Sequence, residues 1–250
     1  MKSFVIRATA AAALAGASML SQAAVVNFNG WAWGNNWNTV VSVSNPGHTG
    51  AAGAFKGGVL FAPGGEQGFS GIMGNFISYC VEITESFHLP SGNMTGYNVL
   101  TGAGYSEWNN TNGSGKTAAD TAIRLGQLLS YVASDSALVA SDAQSASMQL
   151  AIWNVIYDTD NTVTGGLFKE TSVGGAYDAY ADTLLADSRS WTQMLDVYVL
   201  QKAGSQDFVL TRDSGHLVPH DFLNVPEPAS LALVALALGA AGAASRRRRG

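Results

Sequence analysis

Apolar and polar residues alternate along much of 25–100, and this pattern predicts β-strands. The alternation runs through 25–43 and returns at 55–62, 76–87 and 94–100. A period of two places successive side chains on opposite faces of a sheet, so each segment has one face suited to a core. Asparagine, proline and glycine within 45–48 predict a turn after the first segment.

The period changes in the middle of the chain. At 118–132 apolar residues recur every three or four positions, which predicts a helix. Asp142 is a suitable N-cap for a second helix that ends near Tyr157. A third, short helix is predicted at 176–187. Strands followed by a run of helices indicate that the two kinds of element are segregated along the chain.

Alternation returns near the end, at 191–201 and 206–211, and predicts an antiparallel pair of strands. The order of strands, helices and strands predicts an α+β fold, namely a β-sandwich or barrel with a helical insertion. We assign residues 24–215 to one exported domain, because about 200 residues suffice for a single core. Residues 216–225 then form a linker to a single C-terminal hydrophobic helix.

The N-terminal segment has the composition of a signal peptide. Lys2 and Arg7 precede an apolar stretch at 8–20, and Ser21 and Ala23 place small residues at the −3 and −1 positions of a cleavage site. We therefore expect residues 1–23 to be removed and the remaining chain to be exported through the inner membrane.

The C-terminal segment combines an apolar run at 229–244 with four arginines at 246–249. Sixteen helical residues rise about 24 Å, which is shorter than a bilayer core of about 30 Å, so the segment predicts a thin or temporary membrane anchor. The arginines place its end on the cytoplasmic side.

Charge excludes some classes of partner. The chain has 13 basic and 18 acidic residues. Six of the basic residues but only one of the acidic residues lie in the terminal signals, which leaves seven against 17 in 24–225, a net charge of −10. A strongly acidic exported domain argues against nucleic acid and anionic membrane surfaces as partners.

Cys80 is the sole cysteine, so an exported chain of this sequence has no internal disulfide. An unpaired thiol outside the cytoplasm needs burial, a partner chain or a chemical use. Its neighbours Ile77, Tyr79, Val81 and Ile83 indicate a buried strand, where a thiol is ordinarily inert.

Gln149 is the second anomaly, because its helix is apolar on nearly every side. A buried carboxamide without partners costs about 1–3 kcal/mol, so Gln149 needs a hydrogen-bonded or a chemical role. A thiolate placed against it can attack the amide carbon and expel ammonia, which leaves an internal Cys80–Gln149 thioester. Aromatic walls, here Tyr79, Trp153 and Tyr157, would slow hydrolysis by excluding water.

These motifs resemble the thioester domains of bacterial surface adhesins. The match covers about 75–160 and consists of FISYCVE at 76–82, a helix at 123–131 and QLAIW at 149–153. Met148 replaces a usual threonine and Glu82 a usual apolar residue, which leaves both bond-forming side chains in place. The resemblance implies covalent capture of a surface amine or hydroxyl, once per molecule. The protein would then be no turnover enzyme and would need no cofactor.

The C-terminal signal resembles the PEP-CTERM sorting pattern. VPEPAS at 225–230, with Pro226, Glu227 and Pro228 at its centre, precedes the apolar run and the arginine cluster. We assign 226–250 to this sorting signal. The resemblance implies that an exosortase of a Gram-negative bacterium processes the chain, which is membrane-anchored before cleavage and reaches the cell surface or extracellular matrix afterwards.

Enzyme alternatives have weaker support in the sequence. Cys80 with His48 or His88 would make a nucleophile–base pair, but no spacing favours it. Any acidic chain offers carboxylate pairs suited to a glycosidase, and four histidines without a ligand pattern predict no metal site. The carboxylate candidates are Glu66, Glu82 and Glu85.

A binding role without covalent chemistry stays open. Trp31 and Trp33 would share one strand face and, with Trp37, could stack on sugar rings or fill the core. The alternative function is therefore a structural or exopolysaccharide-associated matrix protein in which Cys80 is an ordinary core residue.

Deletion of Glu227 tests the sorting assignment. We expect the deletion to abolish processing and surface display, because it breaks the motif that the exosortase would recognise. Fractionation with immunoblotting of the wild-type and deletion chains measures this outcome. Unchanged display and retention of the deletion chain would contradict the assignment.

Overall fold

The computed structural model describes residues 23–33, 40–44, 47–62, 65–172 and 175–213. The predicted signal peptide, the C-terminal helix, the sorting motif and Trp37 lie outside these residues. Among the described residues, no helix combines the length and the apolar character needed to cross a membrane.

Eight strands and three α-helices make up the described chain. Six strands form one antiparallel sheet in the order β5-β4-β1-β6-β7-β8, and β2 and β3 form a separate hairpin. The elements are β1 (Ala24–Trp31), β2 (Val40–Ser44), β3 (Gly47–Ala51), β4 (Phe55–Phe61), β5 (Gly71–Ser78), β6 (Met94–Thr101), α1 (Ala118–Ala133), α2 (Asp142–Tyr157), α3 (Ala176–Ser188), β7 (Leu195–Lys202) and β8 (Ser205–Asp213).

The six-stranded sheet curls into a half-barrel whose two edges meet just after β5. Cys80 forms an isolated antiparallel bridge with Phe208 of β8. The Val81 N–H donates to the Asp207 carbonyl over 3.1 Å, and the Val209 N–H donates to the Tyr79 carbonyl over 3.1 Å. The curl therefore brings Cys80 to the point where the two edge strands of the sheet, β5 and β8, approach each other.

Aromatic rings fill the concave side of this curl around Phe208, which is fully buried. Its ring centroid lies 4.7 Å from that of Phe28, 5.1 Å from that of Phe87 and 5.9 Å from that of Tyr97. Tilted and edge-on contacts of this kind add to the free energy that burial alone supplies. The cluster connects β1, β6 and β8 with the segment after β5.

The three helices lie between β6 and β7 in the chain, as an insertion. Thr117 and Asp120 form a capping box at the start of α1, where each side chain binds the other residue's backbone N–H. The cap of α2 is Ser141, whose hydroxyl accepts from the Gln144 N–H, so the prediction of Asp142 as the cap was wrong by one residue. Asp142 occupies the first turn, where a carboxylate favours the helix dipole.

The predicted α+β class is confirmed, with two corrections in its detail. The sheet is a half-barrel, so neither a two-sheet sandwich nor a closed barrel describes it. The strand predicted at 76–87 was wrong, since β5 runs from Gly71 to Ser78 and pairing with β4 stops at Ser78. The prediction also missed β3, whose sequence GHTGA carries little apolar alternation.

Replacement of Phe208 by alanine tests the aromatic cluster. We expect Phe208→Ala to lower the free energy of unfolding by about 3–5 kcal/mol, because it leaves a cavity among four rings. Urea denaturation of the exported domain measures the change.

The control is Ile72→Ala, since Ile72 is 78% exposed. It should change stability by less than about 0.5 kcal/mol. Equal losses in the two variants would show that the cluster is not the main source of packing energy.

Candidate functional site

Gln149 and Cys80 are in direct contact in the interior. The Cys80 N–H donates to Oε1 of Gln149 over 3.0 Å, and Nε2 of Gln149 donates to the Cys80 carbonyl over 2.8 Å. Gln149 is 1% exposed and Cys80 is 7% exposed. Two hydrogen bonds thus satisfy the carboxamide that the sequence places in an apolar helix.

The strand geometry explains why a side chain is needed here. Cys80 and Phe208 face each other without exchanging hydrogen bonds, because the bonds to β8 come from the residues on either side of Cys80. The N–H and carbonyl of Cys80 are left without a strand on their other side, since β4 pairs only as far as Ser78. The Gln149 carboxamide takes the place of that missing strand.

A stripe on α2, made of every fourth residue from Ser145 to Tyr157, runs alongside residues 79–83. The Ser145 hydroxyl accepts from the Ala54 N–H over 2.8 Å and hydrogen-bonds with Tyr79. Further along the stripe, the hydroxyl of Tyr157 hydrogen-bonds with the backbone of Ile83. Residues four apart share a helix face, so α2 fixes the path of 79–83 from one end to the other.

A cavity of about 200 Å³ opens beside this contact. Cys80 and Trp153 line it from the strand and from α2, and rings from β1, β4 and the segment after β5 line the remainder. The residues that line it are Trp31, His48, Gly50, Ala51, Phe55, Cys80, Glu82, Ile83, Glu85, Ser86, Phe87, His88, Leu89, Trp153 and Gln206.

Carboxyl groups cluster at this cavity. Burial, together with the charge of Asp207 and a hydrogen bond with Glu85, raises the pKa of Glu82 to about 8. Burial also raises the pKa of Asp207 to about 6, although Asp207 accepts hydrogen bonds from the Lys202 N–H and the Tyr105 hydroxyl. A glutamate with this pKa changes its protonation state near neutral pH, so it can both take up and release a proton.

Burial raises the pKa of the Cys80 thiol well above its ordinary value, and the charges of Glu82 and Asp207 add to the effect. The thiol is therefore neutral at physiological pH, and a free thiolate is strongly disfavoured. The same environment makes sulfur a better partner in a covalent bond, where it carries no charge, than as a bare anion.

The structure places the predicted site residues in two groups. Cys80 and Gln149 are hydrogen-bonded to each other, and Cys80 and Trp153 line the cavity. Tyr79 and Tyr157 are buried but do not line the cavity.

Two cavity residues carry signals that the sequence contained. Glu82 lies two positions after Cys80, a spacing that puts both side chains on one face of an extended segment, and Glu85 follows. From the sequence alone, both residues were candidates for glycosidase carboxylates, and Glu82 was also a departure from the thioester motif. Glu66, the third of those candidates, lies elsewhere and accepts from the Val99 N–H of β6.

Trp31 and Trp33, which the sequence placed on one strand face, lie on the two sides of the end of β1. Trp31 is the last residue of that strand and packs on Phe55 with 4.7 Å between ring centroids, at the edge of the cavity. Trp33 lies past the strand end and is half-buried against the core. Within the described ranges, no group of three or more histidine, cysteine or acidic residues is placed to hold a metal ion.

Replacement of Glu82 by glutamine tests the carboxyl cluster through pH-dependent stability. A raised pKa means that the folded protein holds a proton that the unfolded chain releases above about 4.5. The contribution of Glu82 to the free energy of unfolding is therefore fully present below that pH and is lost as the pH rises through about 8. We expect Glu82→Gln to reduce this loss between about pH 6 and 8, as measured by urea denaturation.

Asp207 produces a loss of stability of the same sign, but this loss begins above about pH 3.8 and is complete near pH 6, because its pKa is raised only to about 6. The control variant Asp142→Asn removes an exposed carboxylate from the first turn of α2 and should keep the wild-type slope. If Glu82→Gln also keeps it, the proposed titration of Glu82 is refuted.

Comparisons with known proteins bear on the C-terminal signal. Residues 224–249 match the family described as PEP-CTERM protein-sorting motif. No curated protein and no solved structure matches the chain. These comparisons give no support to the resemblance of 75–160 to adhesin thioester domains, so the thioester stays a proposal. The matched motif identifies an exported protein that an exosortase sorts from a membrane-anchored precursor.

Proposed function

We propose that this protein is an exported module that attaches covalently to a partner through an internal Cys80–Gln149 thioester. The observation that carries the proposal is the pair of hydrogen bonds between the Gln149 carboxamide and the Cys80 backbone. They hold the amide carbon beside the backbone of the only cysteine, in the interior, and Cys80 itself lines a cavity that opens beside this contact.

Formation of the bond follows from this placement. The sulfur of Cys80 attacks the side-chain carbon of Gln149, the C–N bond breaks, and the thiol proton leaves with the amide nitrogen as ammonia. The Cys80 N–H already donates to Oε1, so it would stabilise the negative charge that develops on that oxygen. The product removes the buried thiol and contains no charged group.

In the capture step, Gln149 is attacked by the partner and Cys80 is the leaving group. A nucleophile that enters the cavity attacks the acyl carbon of Gln149, the C–S bond breaks, and Cys80 returns to a thiol. Burial of Cys80 and the apolar rings around the cavity limit the access of water, which favours a long-lived thioester. The reaction occurs once per molecule, so the protein is a stoichiometric coupling agent and not a turnover enzyme.

The place of action completes the proposal. Sorting by an exosortase would deliver the domain to the cell surface or to an extracellular matrix, where amines and hydroxyls of proteins and polysaccharides are abundant. The net charge of −10 in 24–225 is consistent with a partner other than nucleic acid.

One observation favours a second candidate, a non-covalent structural or exopolysaccharide-associated matrix protein. The oxygen and the nitrogen of the Gln149 carboxamide each have a hydrogen-bond partner already, so the side chain serves the fold as a clamp even when no thioester forms. Trp31 at the edge of the cavity could then contact a sugar ring.

Intact-mass analysis separates the two candidates. We expect the freshly folded domain to weigh one ammonia less than its sequence, because thioester formation expels that group. Methylamine should restore mass as an amide at Gln149 and free one titratable thiol. Peptide mapping locates the adduct.

Two variants serve as controls. Cys80→Ala should show full mass and no adduct. Gln144→Ala, on the first turn of the same helix, should keep the ammonia-deficient mass because Gln144 contacts only the loop before α2 and Tyr180. Full mass with one free thiol in the wild-type protein would reject the thioester and leave the non-covalent function.

A further inference from the structure

We propose that Glu82 is the proton-transfer group for capture at the Cys80–Gln149 pair. This inference rests on the proposed function and assigns a role to a residue that replaces the apolar one usual at this position of the thioester motif. Its basis is the position of a second, acidic side chain on the wall that carries Cys80.

Glu82 lies on the same cavity as Cys80, two residues further along the chain. The two groups are close enough for the charge of Glu82 to raise the pKa of the Cys80 thiol. Oε2 of Glu82 is buried and has no hydrogen-bond partner among the described residues. A buried oxygen without a partner is costly for folding, which is typical of a group retained for a reaction.

The proton balance of capture requires such a group. A neutral amine or a hydroxyl attacks the acyl carbon, a new bond forms to it, and the C–S electron pair goes to sulfur. The attacking atom must lose one proton, and the buried sulfur must gain one. The Glu82 carboxylate accepts the first and returns it to sulfur, so Cys80 leaves as a neutral thiol and Glu82 is regenerated.

The surroundings suit this cycle. The titratable groups that interact with Glu82 are the carboxyls of Glu85, Asp207 and Glu107, the thiol of Cys80 and the hydroxyls of Tyr97, Tyr105 and Tyr157, and His48 and His88 stand on the same cavity. Burial, together with the three carboxylates, makes Glu82 a stronger base than an ordinary glutamate, and its pKa of about 8 lets it exchange protons near neutral pH. A base of ordinary strength would seldom accept a proton from the attacking nucleophile.

Hydroxylamine kinetics test the inference, because hydroxylamine is already the neutral base across the relevant pH range. The rate of adduct formation at Gln149 is measured by intact mass in the wild-type domain and in three variants. The wild-type rate should rise to a plateau with a midpoint near pH 8, where Glu82 ionises. In Glu82→Gln, the rate should be about 100-fold lower at the plateau and should lack this step.

Two further variants separate proton transfer from packing. Glu85→Gln removes a neighbouring charge and a hydrogen bond that raise the pKa of Glu82, so it should retain the step and move its midpoint to lower pH. His88→Gln should retain both the step and its midpoint. A step that vanishes in His88→Gln but survives in Glu82→Gln overturns the inference and assigns the role to His88.

Mass before the reaction shows which proposal fails. An ammonia-deficient mass in Glu82→Gln with an unchanged rate profile overturns only the role of Glu82. Full mass in the wild-type domain overturns the thioester, and the role of Glu82 with it. If Glu82→Gln alone never forms the bond, the Glu85→Gln profile decides, because a midpoint that does not shift contradicts titration of Glu82.

Discussion

The pairing of the Gln149 carboxamide with the backbone N–H and carbonyl of Cys80 decides how the helices meet the sheet. Beyond Ser78 the chain has left β4 and touches β8 on one side only. The N–H and carbonyl of Cys80 would otherwise be buried without partners, at a cost of about 1–3 kcal/mol each. Gln149 supplies both partners from α2. The helical insertion is therefore joined to the half-barrel at the point where its edges meet.

The same constraint brings together the two side chains that the proposed thioester would join. A clamp made from glutamine brings an electrophilic carbon beside the backbone of the residue it holds, and that residue is the only cysteine of the chain. Burial keeps the thiol neutral, and the neighbouring acids deepen that preference. In the proposed thioester the sulfur would be bonded to carbon and would carry no charge, which is compatible with the burial that disfavours a free thiolate.

The sequence predicted the elements that depend on local residue patterns. It failed to predict the strand end that depends on pairing with a neighbouring strand. The helix that carries Gln149 was predicted from a capping residue at its start, and the apolar residues on nearly every side of it marked Gln149 as an anomaly. Alternation at 76–87 looked like one strand, but the periodicity of a segment does not reveal where its neighbour stops, and β4 stops at Phe55 opposite Ser78. Cys80 thus lies beyond the regular sheet, a position that only tertiary structure could reveal.

The acidic character of the cavity was beyond reach of the sequence for a related reason. Glu82 and Glu85 are neighbours in the chain, but Asp207 comes from β8 and reaches them through the curl of the sheet. Two carboxylates on a surface would have ordinary pKa values. Here burial and the third carboxylate, Asp207, raise the pKa of Glu82. The closure that needs Gln149 therefore also brings Asp207 to Glu82, so one topological feature supplies both the held electrophile and the strengthened base beside it.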